Sequence, residues 1–375
     1  MERYFDYAAT SPMSREALAA FTKAAEEFYG NTSSAHDFGT EAQSLLEHSR
    51  NTLASKLDVE QEGVYFTSGG TESNWIGLEA LMGAGKGNHI VVSAAEHSSV
   101  RRVVDKMERE GAQVTWVPFT AEGVLDLEVL ASSVTKETAV VSVQLVNSDL
   151  GTIQPLEEVY RHCREKGVLL HSDFVQAFGK INLKKVARLA DSFSLSAHKI
   201  GGPKGVGAVY IRPTLSFSPI FHDVTHESGV RPGTVNTPGV ASFIVAADEA
   251  LAQRTDGEIR TLKNKFVQLL GKGFSVVGNS LDSDIPIIGL TTRGVPGQWM
   301  MLEGNRRGFA FSTGSACQTG HDGTLTTLDA MGMTKEQGET FIRVSFHHSH
   351  SEFDIVRLAE CLNTIASEHR SEVSV

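Results

Sequence analysis

The sequence is poor in several features that would each have named a class of protein. It has three cysteines, Cys163, Cys317 and Cys361, in 375 residues. An odd and sparse set cannot build a disulfide framework, and it fits a reducing compartment. No stretch approaches the roughly 18 unbroken apolar residues of a membrane span. The opening residues lack a basic patch followed by an apolar run, so no signal peptide is expected and the expected location is the cytoplasm. Net positive charge is missing as well. Asp plus Glu number 45 and Lys plus Arg 34, leaving −11. Wrapping nucleic acid needs a basic stripe, so that role is excluded. Internal repeats, low-complexity tracts and Pro-rich linkers are absent.

What remains is globular: 41% hydrophobic and 21% charged. Short β-branched, apolar runs recur at Val64–Thr67, His89–Val92, Val114–Phe119, Ala139–Val146, Val168–His171, Ser192–Leu195 and Gly207–Ile211. Helix-length stretches with apolar residues three and four apart lie between many of them, as at Thr71–Leu81, Val100–Glu110 and Leu156–Lys166. This alternation predicts an α/β domain with a mostly parallel, seven-stranded sheet covered by helices. Beyond about residue 250 the pattern changes. Ile244–Leu270 reads as one long helix, followed by strand-like runs at Ser275–Val277, Ile285–Thr291 and Phe309–Ser312. The expected division is a large domain over 13–250 and a smaller α+β domain from 1–12 and 251–375.

Ligands of such sheets bind beyond the carboxyl ends of the strands. The residues there are small, polar and titratable. They read SGGTES (68–73), AAEH (94–97), NSDLG (147–151), SDFVQ (172–176) and SAHK (196–199). A desolvated lysine can form a Schiff base with a carbonyl. A lone lysine is more often a surface residue. Lys199, however, follows its strand as Asp173 ends the strand before, which places an amine and a carboxylate side by side. That pair is the signature of a pyridoxal phosphate site, where the carboxylate keeps the pyridine nitrogen protonated. Gly69, Gly70 and Thr71 offer a glycine turn and a helix N-terminus to a phosphate. Ser196 and His198 can add donors from the other side. His97 is placed to lie on an aromatic ring and move protons. Gln176 is placed to reach a ring hydroxyl.

Taken together these segments resemble the cysteine desulfurases of the NifS/IscS type. They are SGGTESN, EH, LGTIQP, SDxxQ, SAHK and GPKGVG. The resemblance continues at DYAATSP (6–12), GNTSSAH (30–36), RPGT (231–234), STGSAC (312–317) and IRVS (342–345), in order along the whole chain. That family has the fold type I architecture of pyridoxal phosphate-dependent transferases, in the class V aminotransferase group. The resemblance implies that Lys199 carries the cofactor covalently, Asp173 pairs with its ring nitrogen, Gln176 meets its ring oxygen and His97 stacks on the ring. It assigns the phosphate to Gly70, Thr71, Ser196 and His198. Thr234 is assigned to the phosphate of the partner subunit in a homodimer. Asn31 and Arg343 are assigned to the substrate, L-cysteine. Cys317 is implied as the thiol that takes sulfur as a persulfide and delivers it to an acceptor, such as an iron–sulfur scaffold or a thio-modification enzyme.

Cys317 sits among small polar residues with no apolar anchor, which reads as an exposed loop. Cys163 and Cys361 sit in apolar-periodic helices and read as packing residues. A selenocysteine lyase, or another enzyme of the same fold, is the competing enzymatic reading. A cofactor-binding scaffold without turnover is the non-enzymatic one. Three departures from the family pattern stand out. Ser148 replaces an asparagine expected at the ring oxygen. HDVTHE (222–227) replaces a glycine-rich stretch. His347, His348 and His350 cluster where a basic residue is common, and they read as a solvated loop, not a metal site. GAGKG (83–87) lacks the spacing and hydroxyl of a phosphate-binding loop and reads as a turn.

Overall fold

A computed structural model describes residues 3–218, 226–254, 257–313 and 326–373. Two helices come first, α1 (Arg15–Glu27) and α2 (Asp37–Leu57). Strand and helix then alternate through β1 (Val64–Thr67), α3 (Gly70–Ala84), β2 (His89–Ser93), α4 (Ser98–Arg109) and β3 (Gln113–Val117). They continue through α5 (Leu127–Ser133), β4 (Thr138–Ser142), α6 (Leu156–Lys166), β5 (Leu169–Asp173), α7 (Lys184–Ala187), β6 (Ser192–Ser196) and β7 (Gly207–Ile211). The later part holds α8 (Thr237–Ala252), α9 (Glu258–Leu269), β8 (Phe274–Val276), β9 (Ile287–Thr292) and α10 (Gly297–Arg306). It closes with α11 (Thr326–Ala330), α12 (Lys335–Glu339), β10 (Phe341–Ser345) and α13 (Glu352–Val373). None of these helices is long and apolar enough to cross a membrane.

The first sheet has seven strands in the order β1-β7-β6-β5-β4-β2-β3. Pairs from β3 to β6 are parallel, and β7 runs antiparallel between β6 and β1. Strands β2, β4, β6 and β7 are buried throughout, as both faces of a central parallel sheet must be. Because β7 reverses, β1 points the same way as β6. The carboxyl ends of β1, β2, β4, β5 and β6 therefore meet on one side.

The second sheet, β10-β9-β8, is antiparallel and has its own core. Phe5 belongs to that core, and Asp6 pairs in parallel with Ser345. Ser11 N–H nevertheless donates to the His198 carbonyl of the first body at 2.8 Å. The N-terminal segment thus joins both bodies.

Two expectations fail here. The stretch Ile244–Leu270 is two helices, not one. Gly257, in the left-handed region at φ 88°, and Arg260 both donate backbone N–H groups to the Asp284 carboxylate at 3.1 Å. A distant acid starts a new helix there, and local periodicity cannot show it. Phe309–Ser312 is not a strand. It makes isolated bridges, Ala310 with Tyr4 and Ser312 with Arg343, because it is shared between the N-terminal segment and β10.

The histidine cluster is solvated only in part: His348 is exposed, but its two companions are packed. His350 is 5% exposed and stacks on Phe5 with ring centres 4.3 Å apart, while His347 stacks on Tyr7 at 4.5 Å. Burial pushes His347 down to about 3 and His350 to about 4, so both are neutral packing rings. Among the described residues no group of His, Cys, Asp and Glu could hold a metal.

Candidate active site

A cavity of about 200 Å³ opens beyond the carboxyl ends of the strands. The ends of β1, β2, β4, β5 and β6 all deliver groups to it. Asp173 is the last residue of β5 and Ser196 the last of β6, and Lys199 closes the 3-10 turn that follows. Gly70 and Thr71 open α3 after β1, and His97 caps α4 after β2. Ser148 follows β4, while Gln176, His198 and Arg343 complete the wall. Ten of the residues expected from the sequence therefore line one cavity. Asn31 and Thr234 are exposed and do not line it. Cys317 lies outside the described residues.

The glycine turn has a steric cause. A Cβ on Gly207 of β7 would lie 2.6 Å from the Gly69 Cα, and one on Gly70 would lie 2.8 Å from Val175 Cγ2. Gly69 itself has φ 144°. Only glycine lets the chain turn this tightly into α3. No side chain caps the amides at the start of that helix. Ser196 Oγ, beside them, is buried without a hydrogen-bond partner among the described residues. Uncapped amides and an orphan hydroxyl together form an anion cradle, which fits the phosphate of pyridoxal phosphate.

Lys199 Nζ donates to the carbonyls of Ala8 (2.7 Å) and Ala9 (2.8 Å). The N-terminal segment thus holds the amine at the cavity wall. Asp173 is 7% exposed; its Oδ1 accepts from the Val175 backbone at 2.8 Å and its Oδ2 from Asn74 Nδ2 at 2.8 Å. These two donors fix the carboxylate at the cavity wall, where a pyridine nitrogen would meet it.

Asn74, Ser99 and His171 were assigned no role from the sequence, and they organise the site. His171 Nε2 lies 3.0 Å from Asn74 Oδ1, which needs a donor. Asn74 Nδ2 donates to both Asp173 and Ser99 Oγ, the latter at 2.9 Å. Ser99 then turns its own proton to His97 Nδ1, 2.8 Å away, and its backbone N–H donates to the same nitrogen at 3.2 Å. Nδ1 is therefore an acceptor, and His97 carries its proton on Nε2. Burial lowers the His97 pKa, against the pull of Asp173, so the neutral ring is favoured. The signal for Asn74 was present, a polar residue amid the apolar face of a helix, but only the fold shows what it touches.

Asn74→Ala should leave Asp173 Oδ2 without its donor and loosen His97 at once. A hydrogen bond to a charged group contributes about 1.5–3 kcal/mol. Affinity for pyridoxal phosphate, read by titrating the cofactor-free protein, should fall roughly tenfold to a hundredfold. Unchanged affinity would show that the network is idle.

Arg343 reaches the cavity from β10 of the second sheet. It donates to Asp6 Oδ1 at 3.0 Å and to the Ser148 carbonyl at 3.1 Å, and it lies 3.5 Å from Asp149 Oδ1. Its buried Nε has no hydrogen-bond partner among the described residues. Ser148 therefore meets Arg343 through its backbone. Glu96 is buried and pushed up to about 8 by burial and then by Asp173, so it is protonated near neutrality. Burial pushes the Cys163 thiol up to about 12 and raises that of Cys361, so both are inert packing residues.

The family model described as aminotransferase class-V matches residues 3–358. The chain is 36% identical to the putative cysteine desulfurase NifS of Bacillus subtilis (strain 168), over 99% of this chain and 96% of that protein. It is 35% identical to the cysteine desulfurase IscS of Rickettsia bellii (strain OSU 85-389), over 91% of this chain and 85% of that one. A solved NifS-like protein superposes with a TM-score of 0.90 at 31% identity, covering 98% of this chain and all (100%) of the other.

Proposed function

This chain belongs to the class-V aminotransferase family, and from that premise we propose that it is a pyridoxal phosphate-dependent cysteine desulfurase. Its reaction turns L-cysteine into L-alanine and leaves the sulfur on Cys317 as a persulfide. The observation that carries this reading is the cavity itself. An amine (Lys199), a hydrogen-bonded carboxylate (Asp173) and an anion cradle (Ser196 with the start of α3) face one another there.

Pyridoxal phosphate, when bound, supplies an electron sink for bonds breaking at the substrate Cα. The chain supplies the rest. Gly70, Thr71, Ser196 and His198 would hold the phosphate, Asp173 the ring nitrogen and Gln176 the ring oxygen, with His97 flat against the ring. Ser148 contributes its hydroxyl to the same wall. Arg343 offers a fork of donors to the substrate carboxylate in exchange for Asp6. Lys199 moves the Cα proton. The Nε2–H of His97 handles protons on the substrate sulfur or on Cys317. The Cys317 thiolate attacks the substrate sulfur, so that an S–S bond forms and the C–S bond breaks. Its electron pair stays with carbon, which is protonated and leaves as alanine.

Chain length supports the role of Cys317. Ser312 lines the cavity five residues before it. Five residues span at most about 17 Å, so the Cys317 thiol is within chain reach of the cavity. On the far side Thr327 donates to Asp149 Oδ2 at 2.6 Å, beside the same cavity. The exposure of Asn31 and Thr234, away from the cavity of their own chain, supports a homodimer in which each serves the neighbouring site. The sulfur acceptor is a protein such as an iron–sulfur scaffold, met in the cytoplasm.

Cys317→Ala should still bind pyridoxal phosphate with unchanged affinity, yet release neither sulfide nor alanine from L-cysteine at the native rate. Native rates of both products would sink the assignment. Selenocysteine in the same assay separates this reading from a lyase, since a lyase would not need Cys317.

A further inference from the structure

Lys180 takes no part in the chemistry above, yet it is bonded to it. Its Nζ donates to Gln176 Oε1 at 2.6 Å, and Gln176 Nε2 donates to the Ala8 carbonyl at 2.9 Å. A carboxamide has one oxygen and two N–H groups. The ammonium takes the oxygen and Ala8 takes one N–H. Gln176 is 6% exposed and lines the cofactor cavity, so its remaining N–H is the group it can offer there. Lys180 also lines a second cavity of about 110 Å³ on the other side of Ala8 and Lys199. Tyr7, Arg254, Asp284, His347 and His348 share that wall. Lys180 thus stands between the two cavities.

We propose that Lys180 is a positioning residue that locks the Gln176 carboxamide so that its second N–H donates into the cofactor cavity, and so sets the proton balance of the ring oxygen bound there. The inference rests on the pyridoxal phosphate reading. Burial, and then the cations Lys199 and Arg343, lower the Lys180 pKa to about 7. The strength of the clamp therefore varies near neutral pH.

The test uses full-length protein reconstituted with pyridoxal phosphate, its absorbance titrated against pH. Losing the donor, or the N–H it positions, destabilises the deprotonated ring oxygen and so strengthens proton binding. Lys180→Met should raise the spectral midpoint by about one pH unit, a tenfold change in proton affinity. Gln176→Ala should give the same rise, and the double variant no more than either alone. Additive shifts, or an unmoved midpoint in folded Lys180→Met, would overturn the proposal. If Lys180→Met does not fold, Lys180→Gln decides. It loses the charge but keeps a donor, so its midpoint should match wild type within about twofold in proton affinity. A shift as large as that of Gln176→Ala would show that charge, not positioning, is at work. Failure of the wild type to bind pyridoxal phosphate would instead defeat the functional reading itself.

Discussion

Lys199→Ala should abolish turnover. Loss of a positioned acid–base group alone costs about 10²–10⁴-fold, and in the proposed mechanism the same residue also anchors the cofactor. Three features of the structure concentrate this dependence on one side chain. Lys199 is the amine of the cavity that neighbours Asp173 across the β5–β6 ladder. Its ammonium is held by two backbone carbonyls of the N-terminal segment, so its position is set before any ligand arrives. His198, next to it, is lowered to about 4 by burial and by Lys199, and cannot take over as a base of similar strength. The variant should bind pyridoxal phosphate without a covalent link, so that dialysis strips it. Alanine and sulfide release from L-cysteine should fall to the limit of the assay. Turnover within tenfold of wild type would refute the role given to Lys199.

Glu227→Ala should produce the largest loss of stability. Glu227 is 6% exposed and takes both terminal nitrogens of Arg50, at 2.8 and 2.9 Å. It also accepts from the Phe66 backbone of β1 at 2.6 Å. Burial works against the Arg50 charge, but Glu227 more than compensates, and the Arg50 pKa is raised. Glu227 and Ser228 both sit in the left-handed region, at φ 46° and 53°, which residues with side chains seldom adopt. Such backbone persists where the surroundings over-determine it. Among the described residues, removing the carboxylate leaves a buried guanidinium with only the half-exposed Glu47 as acidic partner. Breaking a buried pair this way typically costs about 3–5 kcal/mol. The midpoint of urea unfolding should drop accordingly, with an unchanged slope. Replacing both partners by apolar residues, Arg50→Met with Glu227→Leu, should recover much of the loss, because no charge is left buried alone. An unmoved midpoint in Glu227→Ala would show that the pair is incidental. The pair also explains what the glycine-poor 222–227 stretch has gained, since its last residue is an anchor to α2 and β1.

Much of the site was legible because its chemistry is carried at strand ends. Asp173, Lys199, His97 and Thr71 each follow an apolar run, and the α/β pattern alone puts such residues on one side of a sheet. Asn74 and Lys180 were not legible. Asn74 acts on Asp173 and Ser99, 99 and 25 positions away, while Lys180 acts on Gln176 only four residues away, in a turn whose burial beside the cavity the sequence does not show. Helix boundaries failed for the same reason, as when Asp284 caps α9 across 27 residues from Gly257. The packing of His347 and His350 was not legible because the aromatic rings that cover them, Tyr7 and Phe5, lie at the other end of the chain.

The scarcity of cysteine has the same two-sided history. The sequence by itself determined that three thiols build no framework, that two of them belong to apolar helices, and that an amine and a carboxylate follow consecutive strands. Those are consequences of local pattern, since periodicity and composition act over a few residues. Only the tertiary structure decided that ten candidate groups share one cavity, that His97 keeps its proton on Nε2 and that Arg343 answers to Asp6. Those depend on contacts between residues up to 337 positions apart. Hydrogen-bond direction and burial are properties of the packed whole, and no stretch of chain carries them alone.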